Sequence, residues 1–250
     1  MTQPKITLAP NGARLQKSDH PALPVTIAQT LETAQKCHAL GADELHLHVR
    51  QPNGRHSLDV GLYREALAEM AQKIPTMPVQ ITTESGGIYN VTAQVHCLET
   101  LRPNSASIAV REMARDAKQA ARAYDICAET GTDVQHILYT PQCLAQLLEW
   151  RAQGMVHAPQ NSVIFVLGQY DPPQLARPKH LAQFLDQIQA QNLIWAACAF
   201  GQYEHTCLRA AAQAGGDIRI GFENNHHACD GTVFADNAES LSTYLARENQ

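Results

Sequence analysis

The stretch Glu44-Leu45-His46-Leu47-His48-Val49-Arg50 reads as a short strand, because strand side chains alternate between two faces and here the two faces differ in kind. His46 and His48 share one face. Leu45, Leu47 and Val49 share the other, which is apolar as it must be to pack beneath helices. Two imidazoles projecting inward from the end of a strand are costly to bury without partners, and a divalent metal ion satisfies both at once. The alternative is a pair of histidines hydrogen-bonded to neighbours in a polar interior.

Outward from this segment, similar β-rich runs recur at Ile6–Ala9, Glu44–Val49, Val79–Thr83, Ala106–Val110, Val134–Tyr139, Val163–Leu167, Leu193–Ala197 and Ile218–Phe222, eight in all. The stretches between them carry helix punctuation. Thr26 with Gln29 forms a capping pattern before Ile27, Leu31, Ala34 and His38, and Gly41 closes that helix. Thr140-Pro141 opens another before Leu144, Leu147 and Leu148, with Gly154 beyond its last turn. Leu62, Ala66, Met70 and Ile74 form a third stripe, stopped by Pro75. Strand then helix, repeated eight times over 250 residues, predicts a single (β/α)₈ TIM barrel spanning residues 1–250. An open doubly wound sheet is the competitor, but no GxGxxG or GxxxxGK[ST] follows any strand.

Composition narrows the partners. The formal net charge is −5, with 44% hydrophobic and 17% charged residues, so there is no basic field to attract nucleic acid or an anionic membrane. No run approaches the length needed to span a bilayer. Seven cysteines without a CxxC pair read as reduced, buried thiols of a cytoplasmic protein. These features favour small-molecule chemistry.

The last run, Ile218-Arg219-Ile220-Gly221-Phe222-Glu223-Asn224-Asn225, completes the candidate site. By alternation, Ile218, Ile220 and Phe222 face the helices, while Arg219, Gly221 and Glu223 face the interior. Glu223 then lies at the C-terminal mouth, where barrel enzymes place their catalytic groups. His46, His48 and Glu223 would leave an open position on a zinc ion, as catalysis requires. An internal ion pair between Glu223 and Arg219 is compatible with that reading. His226 and His227 follow closely and are expected to be solvated. Hydroxyls at other strand ends, Thr82, Thr83, Ser85 and Ser107, suit recognition of a carboxylate or carbonyl, or else bond loop backbone.

Taken together, NGARLQKSDHPALPVT (11–26), LHLHVR (45–50), QITTESGG (80–87), FVLG (165–168) and IRIGFENN (218–225) resemble the β-keto acid cleavage enzyme family. The resemblance implies an oligomeric (β/α)₈ barrel, a dimer or tetramer. It also implies Zn²⁺, or another divalent ion, on His46, His48 and Glu223. The implied reaction joins a β-keto acid to acetyl-CoA and releases acetoacetate and a new acyl-CoA. It proceeds by deprotonation next to the ketone, condensation with the thioester, CoA transfer and retro-Claisen release. Arg219 matches the arginine that works beside the catalytic carboxylate, and Thr82 and Ser107 match hydroxyls that hold the substrate carboxylate.

Three positions depart from the family pattern. Asn224 stands where the family commonly has an aspartate that takes the proton, and Glu84 stands where it usually has glycine, so Glu84 is the candidate replacement base. Arg14 occupies the place of a glutamate that receives an ammonium group, which points to a substrate with a distal carboxylate. Arg177 and Lys179 are candidate partners for the phosphates of CoA. Outside this family, the same motifs would also serve a metal-dependent aldolase or hydrolase, or a binding barrel that has lost its base.

Overall fold

The computed structural model describes residues 3–169, 173–189 and 191–246. Its barrel strands are β1 (Ile6–Leu8), β2 (Glu44–Leu47), β5 (Val79–Thr82), β6 (Ser105–Ala109), β7 (Asp133–Leu138), β8 (Ser162–Leu167), β9 (Ile194–Ala199) and β10 (Asp217–Ile220). They close in the order β1-β10-β9-β8-β7-β6-β5-β2, and every neighbouring pair is parallel. A two-stranded hairpin, β3 (Val49–Arg50) with β4 (His56–Ser57), stands at the mouth. The chain is a (β/α)₈ barrel.

The helices form where their caps allow. Helix α1 (Ile27–Leu40) is capped by Thr26, whose hydroxyl accepts from the Gln29 amide, and ends on Gly41 in the left-handed conformation. Such an N-cap stabilises a helix by about 1 kcal/mol. Helix α6 (Pro141–Ala152) starts behind Thr140 in the same way. Helix α2 (Val60–Lys73) buries Tyr63, Ala66 and Met70, and Ile74 is buried just beyond it; of the expected stripe only Leu62 is displaced, half-buried at the edge of the core. The main core lies between sheet and helices, as it must when parallel strands are covered on their outer face.

The interior of the barrel is divided. On the β7–β9 side it is filled by Ala109, Ile137, Ile164, Val166, Ala196 and Cys198. On the β2–β5–β6 side it is polar: His46 sits beside Gln80 in register, and Thr82 beside Ser107. Small and branched side chains on one wall leave room for function on the other.

Several sequence expectations need correction. The strand expected over Glu44–Val49 breaks at His48, because the chain leaves the barrel there and Val49–Arg50 pairs antiparallel with β4 instead. The eighth strand ends at Ile220 rather than Phe222. Gly221 turns the chain at φ 140°, and Phe222 packs with Leu23 and Phe234 rather than beneath the helices. Val110 begins the short helix α4 (Val110–Met113) instead of extending the fourth strand. Six cysteines are buried and free, but Cys229 is exposed. Among the described residues no helix is long and apolar enough to cross a membrane.

Candidate metal centre and active-site cleft

The break at His48 does not separate the two histidines. His46 Nε2 lies 3.2 Å from His48 Nε2 and 3.6 Å from Glu223 Oε2, and His48 Nε2 lies 3.6 Å from Glu223 Oε1. A tetrahedral ion bonded at ~2.0–2.1 Å keeps its ligand atoms roughly 3.3 Å apart. These three side chains could therefore hold one ion with small adjustments, and all three are buried.

Two of the three donors are supported from behind, whereas His48 Nδ1 is buried without a hydrogen-bond partner. His46 Nδ1 donates to Gln80 Oε1 at 2.8 Å, which fixes the tautomer and leaves the Nε2 lone pair facing the site. Burial, then the Arg219 cation, lowers the His46 pKa to about 3, so the ring is neutral, as a metal ligand must be. Burial alone would raise the Glu223 carboxyl, but Arg219 and the two histidines outweigh it and hold the group well below the usual carboxylate range. Arg219 Nη2 approaches Glu223 Oε1 at 3.4 Å and Nη1 approaches His46 Nε2 at 3.3 Å. The ion pair and the three-donor cluster thus coexist.

The turn that carries Glu223 is built by contacts outside the cluster. At Gly221 a Cβ would come within 2.4 Å of the Ala9 carbonyl oxygen, so only glycine lets the last strand fold against the first. Glu204, fully buried, accepts from the Gly221 amide and from Asn225 Nδ2, each at 3.3 Å. Burial raises that carboxyl well above its ordinary pKa.

On the other side, Arg50 donates to the carbonyls of Asn11, Gly12, Leu15 and Gly54, which pins the loop after β1. That loop presses Gly12 onto Glu223: at φ 59°, a Cβ on Gly12 would meet Glu223 Cγ at 2.5 Å.

Beside the cluster lies a cleft of about 60 Å³, lined among others by Arg14, Glu84, Arg111, Tyr139, Arg219 and Glu223. Glu84 Oε2 stands 3.9 Å from His48 Nε2. Burial raises the Glu84 carboxyl above its ordinary range, with Glu223 and Glu112 adding to the rise and His48 and Arg14 opposing it.

The Thr82 hydroxyl accepts from the Glu84 amide at 3.0 Å, and its own O–H is not used in that contact. Thr83 donates to the Ser107 carbonyl and Ser85 to Glu112. Ser107 Oγ, fully buried, has no hydrogen-bond partner. The Asn224 side chain is buried with neither polar atom bonded, and it does not line the cleft. The rings of His226 and His227 lie 4.2 Å apart, tilted by 39°, and are outside the three-donor cluster. Arg177 lies flat over Tyr203 and Lys179 is exposed at the start of helix α7 (Lys179–Ile188). Residues 170–172 of the preceding loop lie outside the described residues.

Sequence reasoning missed Arg50, Gln80, Arg111 and Tyr139. Alternation in phase with Thr82 points Gln80 inward, and Tyr139 and Arg111 lie one and two residues beyond barrel strands at the mouth.

The profile of one protein family, described as beta-keto acid cleavage enzyme, matches residues 5–246. The chain belongs to the beta-keto acid cleavage enzyme family. It is 24% identical to the 3-keto-5-aminohexanoate cleavage enzyme of Fusobacterium nucleatum, over 97% of this chain and 91% of that one. It is also 24% identical to the 3-oxoadipate:acetyl-CoA acetyltransferase of Cupriavidus necator, over 98% and 89%. Like these members of the family, it is an enzyme. Among solved structures, the ternary complex of ObcA with C4-CoA adduct and oxalate superposes with a TM-score of 0.70 at 14% identity. That match covers 92% of this chain and 64% of ObcA, and it speaks to the fold alone.

The Gly12 contact yields a test. Gly12→Ala should lose about 1–3 kcal/mol of stability and bind Zn²⁺ at least about tenfold more weakly, because Glu223 must move. Gly41→Ala, equally left-handed but with open space around it, should lose stability without changing metal affinity. Urea unfolding and isothermal titration with Zn²⁺ separate the two effects, and equal metal affinities in both variants would contradict this reading.

Proposed function

We propose that this enzyme is a Zn²⁺-dependent β-keto acid cleavage enzyme that converts a β-keto acid with a distal carboxylate and acetyl-CoA into acetoacetate and a new acyl-CoA. The observation that carries the reading is the meeting of His46, His48 and Glu223 beside a cleft that also holds Glu84, Arg14 and Arg219. Family membership gives the reaction class, and one relative is named for 3-oxoadipate with acetyl-CoA.

A bound Zn²⁺ supplies Lewis acidity that stabilises the enolate oxygen. The protein's own residues do the rest. Ser107, whose hydroxyl is unengaged, and Thr82 hold the reacting carboxylate. Glu84 takes a proton from the carbon between ketone and carboxylate, a task suited to a carboxyl raised above its ordinary pKa.

The carbanion attacks the acetyl-CoA carbonyl and expels CoA thiolate. The thiolate adds to the original ketone, the carbon–carbon bond breaks, and the proton held by Glu84 returns to the acetoacetate carbanion. Arg219 holds Glu223 ionised throughout. Asn224 cannot take a proton usefully and does not line the cleft, so it is not the base. Arg14 faces the distal carboxylate. Arg177 and Lys179 meet the phosphates of CoA outside the cleft, and buried free thiols fit a reducing cytoplasm.

A panel of β-keto acids with acetyl-CoA, followed by acyl-CoA formation, tests the reading. Turnover should appear with 3-oxoglutarate or 3-oxoadipate, vanish after chelation and return with Zn²⁺. Simple hydrolysis without acyl-CoA transfer, or no turnover by metal-replete protein, would overturn it. Glu84→Gln should lower kcat by roughly 10²–10⁴-fold, and an undiminished rate would remove Glu84 from its role. Arg14→Glu should shift the preference from anionic towards ammonium-bearing substrates, and an unchanged preference would exclude Arg14 as the selector.

A further inference from the structure

Arg111 is exposed at the barrel mouth, two residues beyond β6, and lines the same cleft as Glu84, Arg219 and Glu223. Its guanidinium carbon lies 3.3 Å from the centroid of the Tyr139 ring, a flat stack at van der Waals contact. Stacking occupies a face of the guanidinium but none of its N–H groups, which point outward in the plane. Among the described residues those groups make no hydrogen bond and no ion pair, whereas Arg219 is committed to Glu223, His46 and Cys198. A rigid fork of free donors, held in plane by an aromatic ring, is shaped for a planar carboxylate.

We infer that Arg111 is a specificity-determining residue that receives the distal carboxylate of a short dicarboxylic substrate, with Tyr139 as the platform that holds it in place. This rests on the β-keto acid reading above and deepens it. Depth in the barrel decides which carboxylate is met. Ser107 lies four residues earlier on the same wall and is fully buried, so an acid anchored there extends its far end outward to Arg111. Arg14 follows β1, separated from β6 by β2 and β5 in the closed sheet, and the two cations therefore approach from different walls. The phosphates of CoA are the other anions at hand, but the long pantetheine arm keeps them outside a cleft of about 60 Å³ when the thioester is at the reacting carbon.

Binding by the Zn²⁺-loaded protein tests this without turnover, using glutarate as an inert dicarboxylate, butyrate as its monocarboxylate counterpart and 3′,5′-ADP as a fragment of CoA. Arg111→Gln should weaken glutarate roughly ten- to a hundredfold, with butyrate, 3′,5′-ADP and the thermal midpoint unchanged. Tyr139→Phe should keep glutarate affinity and Tyr139→Leu should reduce it. The inference is overturned if wild type does not bind glutarate, if glutarate and butyrate weaken equally, or if only 3′,5′-ADP is affected. Arg111-dependent glutarate binding in a protein that cleaves no β-keto acid would sink the cleavage reading and leave this one standing.

Discussion

The site depends on keeping one carboxylate and two imidazoles together, out of water, next to a guanidinium. Each buried charge costs several kcal/mol to desolvate, and the pair Glu223–Arg219 offsets that cost only because the two groups meet in the same pocket. Arg219 thereby does two things. It holds Glu223 ionised, and with burial it keeps His46 unprotonated. A divalent ion entering this arrangement finds the Glu223 carboxylate ionised and the His46 ring unprotonated, and it adds to a cleft already positive in balance, with Arg14, Arg111 and Arg219 against Glu84 and Glu223. A positive cleft favours an anionic substrate and the enolate formed from it.

The barrel's division of its interior makes this possible. Branched and small residues of β7, β8 and β9 fill one half, so the polar half need not supply cohesion and can be given over to His46, Gln80, Thr82 and Ser107. The loops complete the site under close constraint. Arg50 ties the loop after β1 by its carbonyls, Gly12 lies against Glu223, and Gly221 passes Ala9 with no room for a side chain. Two glycines and one buried arginine thus set where the Glu223 carboxylate points.

Much of this is legible in the sequence, because the barrel and the two histidines follow from periodicity, which is local. Alternation placed His46 and His48 on one face even though the strand breaks between them, since both rings still reach the mouth. It reached Glu223 by a route the chain does not take: Gly221 leaves strand geometry, and the carboxylate arrives inside through a turn rather than along a ladder. Gln80 follows from the same alternation once Thr82 is placed. The stack of Arg111 on Tyr139 does not, because its two residues follow different strands and meet only once β6 and β7 pair. The bond from the Glu84 amide to the Thr82 hydroxyl is likewise a loop contact that no periodicity encodes.

Metal analysis combined with X-ray absorption at the zinc edge, on protein purified without chelators, most directly tests whether His46, His48 and Glu223 share an ion. The account predicts close to one equivalent of zinc, with nitrogen and oxygen neighbours at ~2.0–2.1 Å and an imidazole scattering pattern from two rings. Protein that retains no metal after loading, or a first shell without imidazole, would contradict it.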